Sequence, residues 1–175
     1  MAYHQETLCY VTDPNVHICC ERGNCGVLVP FAVNGTYNGD GKKIIRFNLD
    51  NSRTCGIPFS RVLRGDLEGL VERDELAKLN PPANSMRLKL DLSGYILVDK
   101  KMNTPTATFT VEKLVRNVCR QVAAFVNAAE VNVGAQPEWI IGQRGIVVEQ
   151  LVLVSIKRIS AGYWVPCIRL VNGQE

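Results

Sequence analysis

The chain has 175 residues, with 20 Lys and Arg against 17 Asp and Glu for a formal charge of +3, and it is 46% hydrophobic and 21% charged. Those proportions match an average folded domain and exclude a disordered tail, a collagen-like repeat and an acidic solvating segment. A surplus of three positive charges is too small to point by itself to nucleic acid or to an anionic membrane.

A chain of this length buries roughly 70% of its unfolded surface without help from a metal or a disulfide, so one domain over residues 1–175 is expected. The first fifty residues read as short strands in an antiparallel meander. Runs at 7–12, 16–20, 25–33 and 43–49 are separated by turn chemistry such as Asp13-Pro14-Asn15, Asn34-Gly35 and Asn38-Gly39. Pro30 within the third run argues for an edge or a bulge. From Phe59 to Leu79 an approximate helical stripe (Val62, Leu63, Leu67, Leu70, Val71, Leu76, Leu79) is broken by Gly65 and Gly69. Each glycine costs about 1 kcal/mol inside a helix, so two short helices or turns fit better than one long one.

Two signals are stronger. Met86-Arg87-Leu88-Lys89-Leu90-Asp91-Leu92 alternates apolar and charged residues without a miss, the pattern of a half-buried strand. Thr110 is placed to cap a helix over residues 111–129, where Val111, Leu114, Val115, Val118, Val122, Phe125, Val126 and Ala129 recur at three- and four-residue spacing. Beyond Pro137, Ile146-Val147-Val148 and Leu151-Val152-Leu153-Val154 read as a strand covered on both faces. Ser160-Ala161-Gly162 is a turn, and residues 163–171 return as a hairpin partner in which Pro166 calls for an edge or a bulge. The expected fold class is therefore α+β: a mostly antiparallel sheet packed against one long amphipathic helix, with short helices in the middle segment.

Seven cysteines (Cys9, Cys19, Cys20, Cys25, Cys55, Cys119, Cys167) make an odd number without regular spacing. With a polar start at Met1-Ala2-Tyr3-His4 rather than a secretory leader, they read as reduced thiols in the cytoplasm, or in the nucleus. No window of 18 apolar residues occurs, so no membrane span is expected. Asn34-Gly35-Thr36 fits a glycosylation sequon, which carries little weight in that compartment.

The segment Trp139-Ile140-Ile141-Gly142-Gln143-Arg144-Gly145-Ile146, followed by Leu151-Val152-Leu153-Val154 and Ile159-Ser160-Ala161-Gly162-Tyr163-Trp164-Val165-Pro166, resembles the ending of a family of uncharacterised proteins from mushroom-forming (basidiomycete) fungi. In that family a Trp and a Gly precede a Leu-Val-Leu strand, and a Ser-x-Gly-x-Trp-x-Pro segment follows. The helix from Lys113-Leu114 to Phe125-Val126 fits as well, and Gly56-Ile57-Pro58 with Arg73-Asp74 is similar to the family's middle segment. The chain departs at Leu92-Ser93-Gly94-Tyr95, where the family has Trp-Pro-Gly-Tyr. The resemblance spans mainly the second half. It implies a shared fold and origin, and no chemistry.

Candidate sites are few. His17-Ile18-Cys19-Cys20 with Cys25 and Cys9 has the residue types of a zinc site, but no Cys-x-x-Cys, and alternate strand positions point to opposite faces. No metal is expected there, and nothing in the chain calls for a cofactor. Only His4 and His17 are available as imidazole bases, and no nucleophile elbow or phosphate loop occurs. Asp66, Glu68, Glu72, Asp74 and Glu75 read as a solvated face, with a carboxylate- or thiol-based enzyme as the alternative. Lys113, Arg116 and Arg120 fall on the polar side of the long helix. Together with Lys157, Arg158 and Arg169 they are the candidates for phosphate contacts, against the plainer reading of a solubilising face. Trp139, Tyr163 and Trp164 read as core packing or as interface anchors. The function expected is a non-enzymatic interaction module or a self-associating structural protein, its partner a protein (itself or another) and no membrane, with a nucleic-acid-binding protein using the basic helix face as a further, less favoured alternative.

Overall fold

A computed structural model of the chain describes residues 27–29, 31, 44–50, 55–79, 84–137, 139–142, 145–160 and 162–171. The runs at 7–12 and 16–20, both histidines, and Cys9, Cys19, Cys20 and Cys25 lie outside the described residues. Along the chain come β1 (Val27–Val29), β2 (Ile44–Arg46), β3 (Ile57–Pro58), α1 (Phe59–Arg64), β4 (Ser85–Leu90), β5 (Val98–Asn103), α2 (Val111–Asn127), a 3-10 turn (Val148–Gln150), β6 (Leu151–Ser160) and β7 (Tyr163–Leu170).

The hairpin of β6 and β7 organises the sheet, whose order is β2-β6-β7-β4-β5 with β3 also on β6 and β1 also on β7. Each long strand carries two short ones end to end on its outer side. On β6, β2 lies against Ser155–Lys157 and β3 against Val152–Leu153. On β7, β4 lies at Tyr163–Trp164 and β1 at Ile168–Leu170. Only the β4–β7 pairing is parallel among these, so the fold is α+β with a mostly antiparallel sheet. Pro166 falls in the gap between β4 and β1 on that side of β7, where no strand of the described residues asks it for an N–H, and β6 carries a register shift between Leu153 and Ser155 nearby.

The N-terminal meander does not form among the described strands. β1 and β2 pair with β7 and β6 rather than with each other. Turn chemistry favours a reversal but does not choose a partner; the long apolar hairpin offers both short strands more surface to bury. In the middle segment one short helix forms, α1, stopped by Gly65 at φ +84 with its N–H on the Val62 carbonyl, and turns follow. Residues 148–150 make a 3-10 turn instead of continuing the strand, with the Gln150 side chain accepting a hydrogen bond from the Val147 N–H (3.2 Å). β5 has no apolar alternation in sequence because it is an edge strand: Lys100 and Lys101 are exposed and Met102 is buried.

The long helix runs from Val111 to Asn127, two residues shorter than expected. Thr110 caps it, its Oγ1 accepting from the Lys113 N–H at 3.4 Å. Its buried stripe, with Leu114, Val115, Val118 and Val122 fully enclosed, packs on the face of the sheet formed by Met86, Leu88 and Leu90. At its C-terminal end Phe125 meets Phe31 and Tyr95 edge to face, ring centres 6.0 and 6.4 Å apart. Below Phe125 and Val126 lies an apolar hollow of about 10 Å³ lined also by Val29, Leu92, Leu151 and Ile168, barely the size of one water and far below the several hundred Å³ of a ligand pocket.

Candidate functional site

The turn after β4 and the segment after α2 are laced together at one end of the molecule. Gly94 takes φ +87 where a Cβ would come within 2.9 Å of the Pro137 Cα, so only glycine lets the two segments close. Ile96 donates to the Glu130 carbonyl (2.9 Å), Asn132 donates through its backbone to Gly94 and through Nδ2 to the Tyr95 carbonyl (2.9 and 2.8 Å), and Tyr95 pairs with Val131. Tyr95 itself is buried against Phe125, its hydroxyl accepting from the Ile141 N–H at 2.9 Å. Satisfied backbone holds this surface in place, yet it presents Ile96, Leu97, Val131, Val133 and Ile140 to solvent, Val133 completely. Five large apolar side chains are thus left out of the core on two joined loops. Sequence reasoning did not single out four of the five. Their signal was present as apolar pairs, Ile96-Leu97 and Val131-x-Val133, within turn-rich stretches that belong to no periodic element.

Trp139 sits beside this platform, partly buried against the core. Trp164 is 2% exposed and belongs to the core on the α2 side of the sheet. Tyr163 is on the opposite face of the same strand, half-buried, with the Arg87 guanidinium 5.6 Å from its ring centre. Arg87 in turn forms a two-pronged pair with Asp99 (2.9 to 3.1 Å). The structure thus separates the three aromatic residues instead of gathering them.

The basic candidates are separated too. Lys113 donates to the Thr108 carbonyl at 2.6 Å, Arg116 to Glu112 and the Gly65 carbonyl, and Arg120 is exposed. Lys157 and Arg169 project from the sheet face opposite the helix, since their register partners Val165 and Val152 alternate with the α2-facing Trp164 and Leu153. One continuous patch uniting helix and sheet cations does not assemble.

Nor does the N-terminus of α2 offer itself to an anion. The Val111 and Glu112 N–H groups donate to the Glu75 and Arg73 carbonyls (2.9 and 3.0 Å), and Lys113 to its Thr110 cap. The Glu112 carboxylate bridges Arg73 (2.6 Å) and Arg116 (2.7 Å), tying residues 65–76 to the helix. In the acidic group, Asp66 pairs with Arg61, and Glu72 and Glu75 both reach Lys78. The Arg73 guanidinium first, and then that of Arg116, hold the Glu112 carboxyl below its ordinary 4.5. A depressed carboxyl stabilises the fold above its unfolded value and loses that contribution as pH falls through its folded one. Glu112→Gln is therefore expected to lower stability by about 1 kcal/mol at neutral pH. Thermal melts of the two proteins should converge on acidification below about pH 4 as the native carboxyl is protonated; parallel melts at every pH would refute it.

Cys119 is wholly buried in α2, where desolvation alone pushes its thiol up, so it serves as a core residue and not as a nucleophile. Cys55, Cys119 and Cys167 are in no disulfide. Among the described residues no three His, Cys, Asp or Glu side chains converge as a metal site would need, and no helix is long and apolar enough to cross a membrane. No protein-family pattern, characterised protein or solved structure matches the chain.

Proposed function

We propose that this protein is an intracellular, non-enzymatic interaction module that associates with a second copy of itself through the apolar platform of residues 94–97, 130–137 and 139–141. The carrying observation is the exposure of Ile96, Leu97, Val131, Val133 and Ile140 on two hydrogen-bonded loops. A symmetric contact places each patch on its own image. These five residues are neutral, so pairing them opposes no like charges, whereas any basic surface would repel its copy. The sheet edge at β5 is a poorer alternative, because Lys100 and Lys101 resist strand-to-strand pairing. The fungal resemblance belongs to the same proposal: its C-terminal segment begins at Trp139, at the rim of the platform, and ends in the β6–β7 hairpin.

Size-exclusion chromatography with light scattering tests the reading. A dimer at high micromolar concentration, converted to monomer by Val133→Asp with Ile140→Asp, is the expected result. Both residues are exposed, so the double variant should melt within a degree or two of the parent. A parent that stays monomeric at high micromolar concentration overturns it.

A further inference from the structure

Arg169 is 3% exposed, on the face of β7 turned away from α2. Its Nη2 donates to the Cys55 carbonyl at 3.2 Å, and its buried Nε has no hydrogen-bond partner. Among the described residues no carboxylate pairs with it. An arginine does not shed its charge at neutral pH, so a buried guanidinium with one carbonyl partner among the described residues is under-compensated by them. Directly across from it stand Leu28 on β1 and Val152 on β6, and its polar neighbours lie further along the strands. Cys167 lies two residues away on the same face, about 7 Å along the strand. Ser155 is directly opposite Cys167 on β6, and Arg46 is opposite Ser155 on β2. Arg46 is exposed, Cys167 and Cys55 are half-open, and the Ser155 hydroxyl adds a neutral donor between the two arginines.

We propose that Arg169, with Ser155 and Arg46, forms an oxyanion-binding site for a carboxylate or phosphate group on the sheet face turned away from α2. The planar fork of arginine suits both groups, and an anion there supplies the counter-charge that no described residue gives Arg169. The site is independent of the apolar platform: it lies on the sheet face, and it does not require self-association.

Thermal melts of the full chain in inorganic phosphate, in acetate and in chloride at matched ionic strength test it. Saturable stabilisation by phosphate or acetate over chloride is expected, and the stronger of the two names the source of the group. Arg169→Met should abolish that response and, by removing a buried charge that no described carboxylate pairs, melt at or above the parent temperature without the anion. Arg169→Lys should keep a weaker response. The proposal is overturned by a parent that melts alike in all three salts, by an anion response that survives Arg169→Met, or by an Arg169→Met variant that melts well below the parent or fails to fold, because an internally satisfied arginine behaves so.

Discussion

Leu114→Ala is expected to lower stability by about 2–5 kcal/mol, a large share of the 5–15 kcal/mol that holds a domain of this size together. Leu114 has no exposed surface and stands in the first turns of α2, where the buried stripe meets β4 and β5 on one side and α1 on the other. Elements meeting from several sides cannot all move inward to refill the space, so the variant suffers the cavity as well as the lost burial. At roughly 2–4 °C per kcal/mol the melting temperature should fall by about 5–15 °C. Arg120→Ala on the opposite side of the helix provides the contrast. Arg120 is exposed, and its removal should stay within about 0.5 kcal/mol. Urea unfolding of the two variants checks both values; equal effects would mean that the stripe does not seat the helix.

Gly56→Ala should be comparably damaging for a different reason. Gly56 has φ +95, and a Cβ on it would stand 2.7 Å from both the Leu153 carbonyl oxygen and the Val152 Cγ1. Left-handed backbone costs an alanine about 1–2 kcal/mol, and forcing atoms into a filled space costs a further 1–3 kcal/mol or so. The oxygen belongs to the backbone of β6, so relief requires moving the strand that anchors β2, β3 and β7. Gly65→Ala isolates the conformational part. Its φ is +84, but the nearest atom to an added Cβ is the mobile Arg116 Nη1 at 3.7 Å. Chemical denaturation should therefore show Gly56→Ala losing at least twice what Gly65→Ala loses, and a ratio near one would refute the role of close approach.

Much of the architecture was legible where one physical signal dominated. The period-two run at 86–92 and the helical stripe from Val111 each declared both an element and a buried face, and the glycines at 65 and 69 warned against a long middle helix. Leu151 to Leu153 announced a strand enclosed on both sides, as their burial shows. The candidate sites were less legible. Charge and aromatic type identified Lys113, Arg116, Tyr163 and Trp164, but type does not reveal that Arg116 is engaged by Glu112 and Gly65 or that Trp164 is enclosed. Arg169 looked like one more surface cation; its burial follows from its register on β7.

By itself the sequence determined the local identities: which stretch is the long helix, where Thr110 starts it, and which side of β4 is apolar. These depend on side chains three, four or two residues apart, and so are written into short windows. Tertiary structure alone decided that β1 and β2 serve the C-terminal hairpin rather than each other, and that β5 closes an edge. It also decided that the loops carrying Ile96 and Val131 pair with each other and that Arg169 has no counter-charge among the described residues. Those outcomes depend on which distant surfaces gain most by meeting, a competition settled over the whole chain at once and not within any single segment.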